Sequence, residues 1–297
     1  MKSKFFQFLL AFGIFGSLVV GFSSCGDDDD TLPPIDGYNN SNEVAATNLL
    51  AHWGFEGDGK ETKSGTAPSS SVGAAFVDGA KGKSVKFTDG YLAYPAISAL
   101  ENSLTSFSVT AWVNVANNGS HPSTFFTLTR PNEWAGNLNF MAETGWMPAT
   151  SDSVTIKGLI VSNNNFGWQD SRNTVKSNAA DLAAGHTPKP NKIANKWTQV
   201  VMTFDASTRL FKIYANGEKI SNPVWEKRGA DDAPQIAFTT PTKPVIGAWG
   251  TNVPGNGGTA EPWQKPMTGS VDELRVYNKA LTDAEIGALF KLESAGR

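Results

Sequence analysis

The stretch that decides the fold is Lys196-Trp197-Thr198-Gln199-Val200-Val201-Met202-Thr203-Phe204-Asp205, then Ala206-Ser207-Thr208-Arg209, then Leu210-Phe211-Lys212-Ile213-Tyr214-Ala215-Asn216-Gly217. Val200, Met202 and Phe204 alternate with Gln199, Val201 and Thr203, a period of two that suits a strand better than a helix. Valine, threonine, tyrosine and phenylalanine favour a pleated, half-buried surface. Asp205 to Arg209 is a short polar loop, and Asn216-Gly217 suits a tight hairpin because both positions adopt positive φ at little steric cost. The stretch reads as a β-meander.

Working outward, residues 107–115 set Phe107, Val109, Ala111, Val113 and Val115 against Ser108, Thr110, Trp112 and Asn114, the pattern of a central strand. Further strands are predicted over 49–55, 74–77, 84–87, 91–94, 124–129, 137–143, 154–161, 165–169, 244–249 and 269–278. Thr88-Asp89-Gly90 reads as a hairpin between two of them. Residues 179–184 suit one helical turn. Thr282-Asp283-Ala284-Glu285 is a capping box flanked by the staple pair Leu281 and Ile286, so a short C-terminal helix should pack its Ile286, Leu289 and Phe290 stripe on the sheets. With 29 glycines, 16 prolines and 40% apolar residues, the 297-residue chain suits one large β domain with many turns. Cys25 is the only cysteine, which excludes an internal disulfide or a thiolate zinc site and leaves stability to the apolar core. A formal charge of −3 and the lack of a basic run argue against nucleic acid as a partner.

Three groups of residues carry a family resemblance. The first is Trp53-Gly54-Phe55-Glu56-Gly57, Gly79-x-x-Gly82-x-x-Val85-x-Phe87 and Phe107-Ser108-Val109-Thr110-Ala111-Trp112-Val113. The second is the meander with its Phe204-Asp205 turn and Tyr214-Ala215-Asn216-Gly217. The third is Gly269-Ser270-Val271-Asp272-Glu273-Leu274-Arg275-Val276-Tyr277-Asn278-Lys279-Ala280-Leu281 with Ala284-Glu285-Ile286. In this order, over roughly 49–292, they resemble LamG-like (laminin G type 3) jelly-roll domains of the concanavalin A-like lectin/glucanase superfamily. The resemblance implies an all-β, antiparallel β-sandwich with one short C-terminal helix. It requires no cofactor, but such domains often bind one Ca²⁺ at the rim, which makes Glu56, Asp58 and Asp272 the implied ligands. The family's Asp-x-Ser-Gly stands here as Glu61-Thr62-Lys63-Ser64-Gly65, with a lysine beside the expected ligand.

Residues 1–24 form a targeting segment: Lys2 and Lys4 precede a nearly continuous apolar run over 5–22. Gly21-Phe22-Ser23-Ser24-Cys25-Gly26 resembles a bacterial lipobox, which implies lipidation at Cys25. Asp27-Asp28-Asp29-Asp30 resembles the export signal of Bacteroidetes-type surface lipoproteins, so the expected location is the outer membrane, facing outward. Residues 25–47 read as lipidated cysteine, acidic run and flexible spacer, and 48–297 as the folded domain.

Chemistry is where the sequence is sparest. Superfamily hydrolases carry Glu-x-Asp-x-x-Glu on one strand, and that spacing is absent. Glu133 and Glu143 are too far apart for it, and the neighbours in Asp231-Asp232 and Asp272-Glu273 would face opposite ways on a strand. His52, His121 and His186 accompany no nucleophile elbow and no metalloprotease motif. Catalysis is therefore not expected. Nine tryptophans are many, and sugar rings stack on indoles. Trp53, Trp112 and Trp197 occupy strand positions and are assigned to packing, whereas Trp134, Trp146, Trp168, Trp225, Trp249 and Trp263 lie among loop residues. Residues 116–195 depart furthest from the family pattern. There Trp134, Trp146 and Trp168 are the first candidates for a ligand platform, with Asn163, Asn165 and Gln169 as hydrogen-bonding amides. The reading that results is a non-catalytic, surface-anchored carbohydrate-binding module for polysaccharide or oligosaccharide, working beside glycan-uptake proteins. The alternatives are a protein-binding or adhesion domain and an unrecognised hydrolase or lyase.

Overall fold

The computed structural model describes residues 32–101, 104–175, 179–183, 188–256 and 258–297. The segment expected to be a leader, Cys25, the acidic run and His186 lie outside the described residues. Period-two patterning gives β1 (Leu49–Trp53), β2 (Ser70–Asp78), β3 (Lys83–Ala93), β4 (Phe107–Asn114), β5 (Ser123–Arg130), β6 (Glu133–Ala142), β7 (Ile156–Val161), β8 (Trp168–Arg172), β9 (Thr198–Asp205), β10 (Leu210–Ala215), β11 (Glu218–Lys219), β12 (Pro244–Ile246) and β13 (Met267–Tyr277). The helices are α1 (Ala179–Ala183) and α2 (Asp283–Ser294). Asn216 (φ 50°) and Gly217 (φ 79°) make the β10–β11 hairpin expected of them.

Three expectations are corrected. Thr88-Asp89-Gly90 is not a hairpin, because β3 runs through it with β2 on one edge and β13 on the other. Both partners shift register there, and a Cβ on Gly90 would stand 2.4 Å from the Val72 carbonyl oxygen, so Asp-Gly makes a bulge crossed by close backbones. The strand expected over 165–169 begins at Trp168, because Ser162 to Gly167 closes a turn through the Ser162 amide and the Gly167 carbonyl, 3.0 Å. The compact unit is Pro34–Arg297, so the spacer expected up to residue 47 is folded from Pro34 onward. Val44 is fully buried beside Leu289 and Leu292 of α2, and Ser41 and Asn42 serve a buried arginine. The segment looked too polar to bury; its polar groups are what the interior uses.

Every strand pairing is antiparallel, in the order β11-β10-β9-β4-β13-β3-β12-β5-β6-β7-β8, with β1 added to β13 and β2 to β3. The ladder curls until β7 and β8 lie over β9 and β10 without hydrogen-bonding to them, giving a jelly-roll sandwich. Phe107, Val109, Ala111, Val200, Met202, Phe204, Phe140, Ile156 and Ile160 fill the space between the layers. Gly158 sits where they approach most closely: a Cβ there would lie 2.5 Å from Phe211 Cζ and 3.0 Å from Met202 Sδ.

Helix α2 covers the outer face of β4, β9 and β13. Thr282 and Glu285 cap it reciprocally, and Leu281 and Ile286 pack with Val201, Tyr214 and Tyr277. Beneath it Arg275 is wholly buried, donating to Glu293 Oε1 (3.0 Å), Asn42 Oδ1 (2.8 Å), Ser41 Oγ (3.1 Å) and the Glu273 carboxylate. Glu293 Oε2 also accepts from Trp112 Nε1 (2.7 Å) and Gln199 Nε2 (2.8 Å). Burying such ions is costly unless all stay paired.

Glu293→Ala should therefore lose about 3–5 kcal/mol of stability in urea unfolding, since it strands a guanidinium, an indole N–H and an amide in the interior. Gly158→Ala should cost about 1–3 kcal/mol through overpacking against the buried Phe211 ring; an unchanged unfolding midpoint would show that the layers are not packed as described.

Candidate functional site

Alternation along β7 sends Ile156, Gly158 and Ile160 to the core and Lys157, Leu159 and Val161 to the opposite, outer face. Register then fixes their neighbours: Val161 lies across from Trp168, Leu159 from Asp170 and Lys157 from Arg172. Trp134 comes from the start of β6, Trp146 from the loop after it, and Trp249 and Trp263 from the loop between β12 and β13. Together they border a cavity of about 480 Å³, within the size range of small-ligand sites.

The indoles pack as a cluster. The Trp134 ring centre lies 5.2 Å from Trp168, 5.5 Å from Trp249 and 5.3 Å from Trp263, and Trp249 and Trp263 stand edge to face at 5.4 Å. Trp249 is 2% exposed, upon Ala135, Met141, Leu159 and Val161, and forms the floor. Trp134, Trp263, Trp168 and Trp146, at 36–51% exposure, keep ring surface for a ligand.

Charged and polar groups line the same cavity. Lys157 Nζ lies 2.9 Å from Glu143 Oε1 and 3.9 Å from Asp170 Oδ2, which keeps those two oxygens within about 7 Å of each other. Burial holds His121 below its ordinary range, so its ring is neutral at pH 7. His121 Nδ1 and Trp249 Nε1, both from lining residues, have no hydrogen-bond partner among the described residues, and a hydroxyl or ordered water would satisfy them.

Of the residues expected from sequence, the structure gathers Trp134, Trp146, Trp168 and Gln169 around the cavity. Asn163 and Asn165 do not line it. They are exposed in the β7–β8 turn, where the Asn163 amide donates to the Ala237 carbonyl. Sequence reasoning placed Trp249 and Trp263 among the loop tryptophans without making them first candidates, and it did not select Glu143, Lys157 or Asp170. The last two could have been found from the alternation of β7 and β8 once their register was known; no local signal ties 249 or 263 to 134.

The implied calcium ligands do not fit an ion. Asp58, more than half exposed, accepts from the Lys60 amide and faces the Lys60 ammonium at 3.7 Å. Glu56 accepts from the Lys83 amide. Asp272 accepts from the amides of Ala80 (2.9 Å), Lys81 (3.0 Å) and Glu273 (2.8 Å), and burial pushes its carboxyl up to about 7. Glu61, at the family's ligand position, accepts from the amides of His52, Lys63 and Ser64. Among the described residues no three acidic, histidine or cysteine side chains converge on one point. These carboxylates organise loops through N–H donors.

The family model of the concanavalin A-like lectin/glucanases superfamily (Laminin_G_3) matches residues 87–287. No curated protein matches the sequence. Among solved structures, domain 4 of AbnA, a GH43 extracellular arabinanase from Geobacillus stearothermophilus in complex with arabinotriose, is similar at 20% identity and TM-score 0.52, over 82% of this chain and 98% of that one. The binding domain of botulinum neurotoxin DC is similar both in complex with SialylT (14% identity, TM-score 0.54, 85% of this chain) and with rat synaptotagmin II (14%, 0.53, 84%). The chain spans about half the length of those toxin domains, 52% in each. Such identities establish the shared fold alone, and the family match covers more than half of the sequence. The chain belongs to the concanavalin A-like lectin/glucanases superfamily.

Proposed function

We propose that this protein is a non-catalytic carbohydrate-binding module that holds an oligosaccharide segment on the outer face of β6, β7 and β8. The observation that carries the reading is the convergence of Trp134, Trp146, Trp168, Trp249 and Trp263 on one cavity with Glu143, Lys157, Asp170 and Gln169. Indole faces match the apolar faces of sugar rings, while paired ions and amides match vicinal hydroxyls. Arabinotriose in the complex of the similar arabinanase domain supports a sugar ligand. A recess lined with ions suits a sugar better than a broad apolar patch would suit a protein. The lipobox-like sequence at Cys25 supports a tether, so that the module would hold polysaccharide at the outer-membrane surface for neighbouring uptake proteins.

One observation favours a second reading as a glycoside hydrolase: Glu143 and Asp170 lie within the separation of glycosidase carboxylate pairs. The Lys157 ammonium stands between them, however, 2.9 Å from Glu143 and 3.9 Å from Asp170, in the space where a glycosidic bond would have to enter.

Trp168→Ala, which removes a half-exposed ring, should weaken retention on a polysaccharide affinity gel or glycan array about tenfold or more while leaving the thermal midpoint unchanged. Equal retention of Trp168→Ala and Trp134→Ala on every glycan bound by the parent would remove these rings from the site. Bound glycan incubated with the protein should yield no new reducing ends; release abolished by Glu143→Gln would establish the hydrolase instead.

A further inference from the structure

Beyond the rim of the cavity, β8 ends in Arg172, across from Lys157 in the ladder. Its guanidinium carbon stands 5.0 Å from the Trp146 ring centre and 4.7 Å from that of Trp225. Trp225 is held there by the chain. Buried Asn222 donates from its amide to the Arg172 carbonyl (2.9 Å) and from its side chain to Thr174 Oγ1 (2.7 Å), then accepts the amide of Trp225 on its own carbonyl (2.8 Å). Arg228 lies 4.9 Å from the same Trp225 ring. The half-buried Arg172 is thus fixed in place by residues outside the tryptophan cluster.

Charge around this ladder is unevenly paired. Glu143 is occupied by Lys157 at 2.9 Å, and Asp170 lies between Lys157 at 3.9 Å and Arg228 Nη2 at 3.7 Å. Two carboxylates therefore answer three cations, and Arg172 has neither an ion-pair nor a hydrogen-bond partner for its side chain among the described residues. Arg228 Nη2, though near Asp170, has no hydrogen-bond partner among them either. Burial lowers the Arg228 guanidinium from its ordinary range; Asp170 opposes that and the like charge of Arg172 adds to it. A guanidinium flanked by two indoles keeps its N–H edge for a ligand, and that fork matches the paired oxygens of a carboxylate or sulfate.

We propose that Arg172, between Trp146 and Trp225, is an anion subsite that takes a carboxylate or sulfate on the sugar next to the one in the tryptophan cavity, so that the preferred ligands are acidic glycans. This rests on the carbohydrate-binding reading above. The subsite adds selectivity: stacking in the cavity accepts sugar rings generally, whereas a half-buried guanidinium without an ion-pair partner among the described residues rewards a negative charge at one position.

The test uses the full chain on a glycan array that pairs backbones with and without charge, including polygalacturonate against its methyl ester and dextran sulfate against dextran. The wild type should favour the charged member of at least one pair about tenfold or more, and Arg172→Gln should lose that preference at an unchanged thermal midpoint. Arg172→Lys, which keeps the charge but not the fork, should recover only part of it. Preference for uronates but not sulfates would assign the anion as carboxylate, and the converse as sulfate; either supports the subsite. Binding of neutral and acidic members alike, or an acidic preference that survives Arg172→Gln, would overturn the subsite and leave the carbohydrate-binding reading standing. Absence of binding to any glycan would overturn both.

Discussion

The constraint on which the structure depends is that one antiparallel ladder must hide its own apolar face. No second sheet exists in the described residues to do it, so the ladder curls until β7 and β8 lie over β9 and β10. The approach is tight enough that position 158 has room for no side chain, and the phenylalanines of β4, β9 and β10 fill what remains. Antiparallel pairing supplies backbone hydrogen bonds throughout, while burial of alternate residues supplies the driving force.

Curling leaves two outer faces, and the chain treats them differently. The face of β4, β9 and β13 is closed by α2 and by the segment that begins at Pro34, joined through Arg275, Glu293, Ser41 and Asn42. Charges buried that deeply contribute little net stability but strongly disfavour any arrangement that separates them. They fix the seat of the helix. On the face of β6, β7 and β8 the apolar floor of Met141, Leu159 and Val161 is covered instead by Trp249 and the half-exposed indoles. The same alternation thus yields structure on one side and a recess on the other.

Electrostatics sharpen the contrast. Asp272 and Glu61 are saturated by backbone amides, so residues at a metal-like position in the sequence act as loop anchors. Glu143 and Asp170 lie against Lys157 and Arg228, with carboxylate oxygens facing the recess that a ligand's hydroxyl groups can reach. Arg172, half-buried on the outer face, has no ion-pair partner among the described residues, and that imbalance is the most specific chemical statement this face makes.

Alternation, turn residues and the capping box determined the all-β class, the meander at 198–215, the Asn216-Gly217 hairpin and α2, because each depends on neighbours within a few residues. Loop tryptophans were also legible as candidates, since their polar surroundings mark them locally. Only the tertiary structure decided which would meet: Trp134, Trp249 and Trp263 are far apart in the chain and touch because β12, β5 and β6 are neighbours in the ladder. It also decided that Asp89-Gly90 makes a bulge, that residues 34–48 pack, and that Lys157 and Asp170 share a face, because pairing partners and register are set by contacts between distant segments.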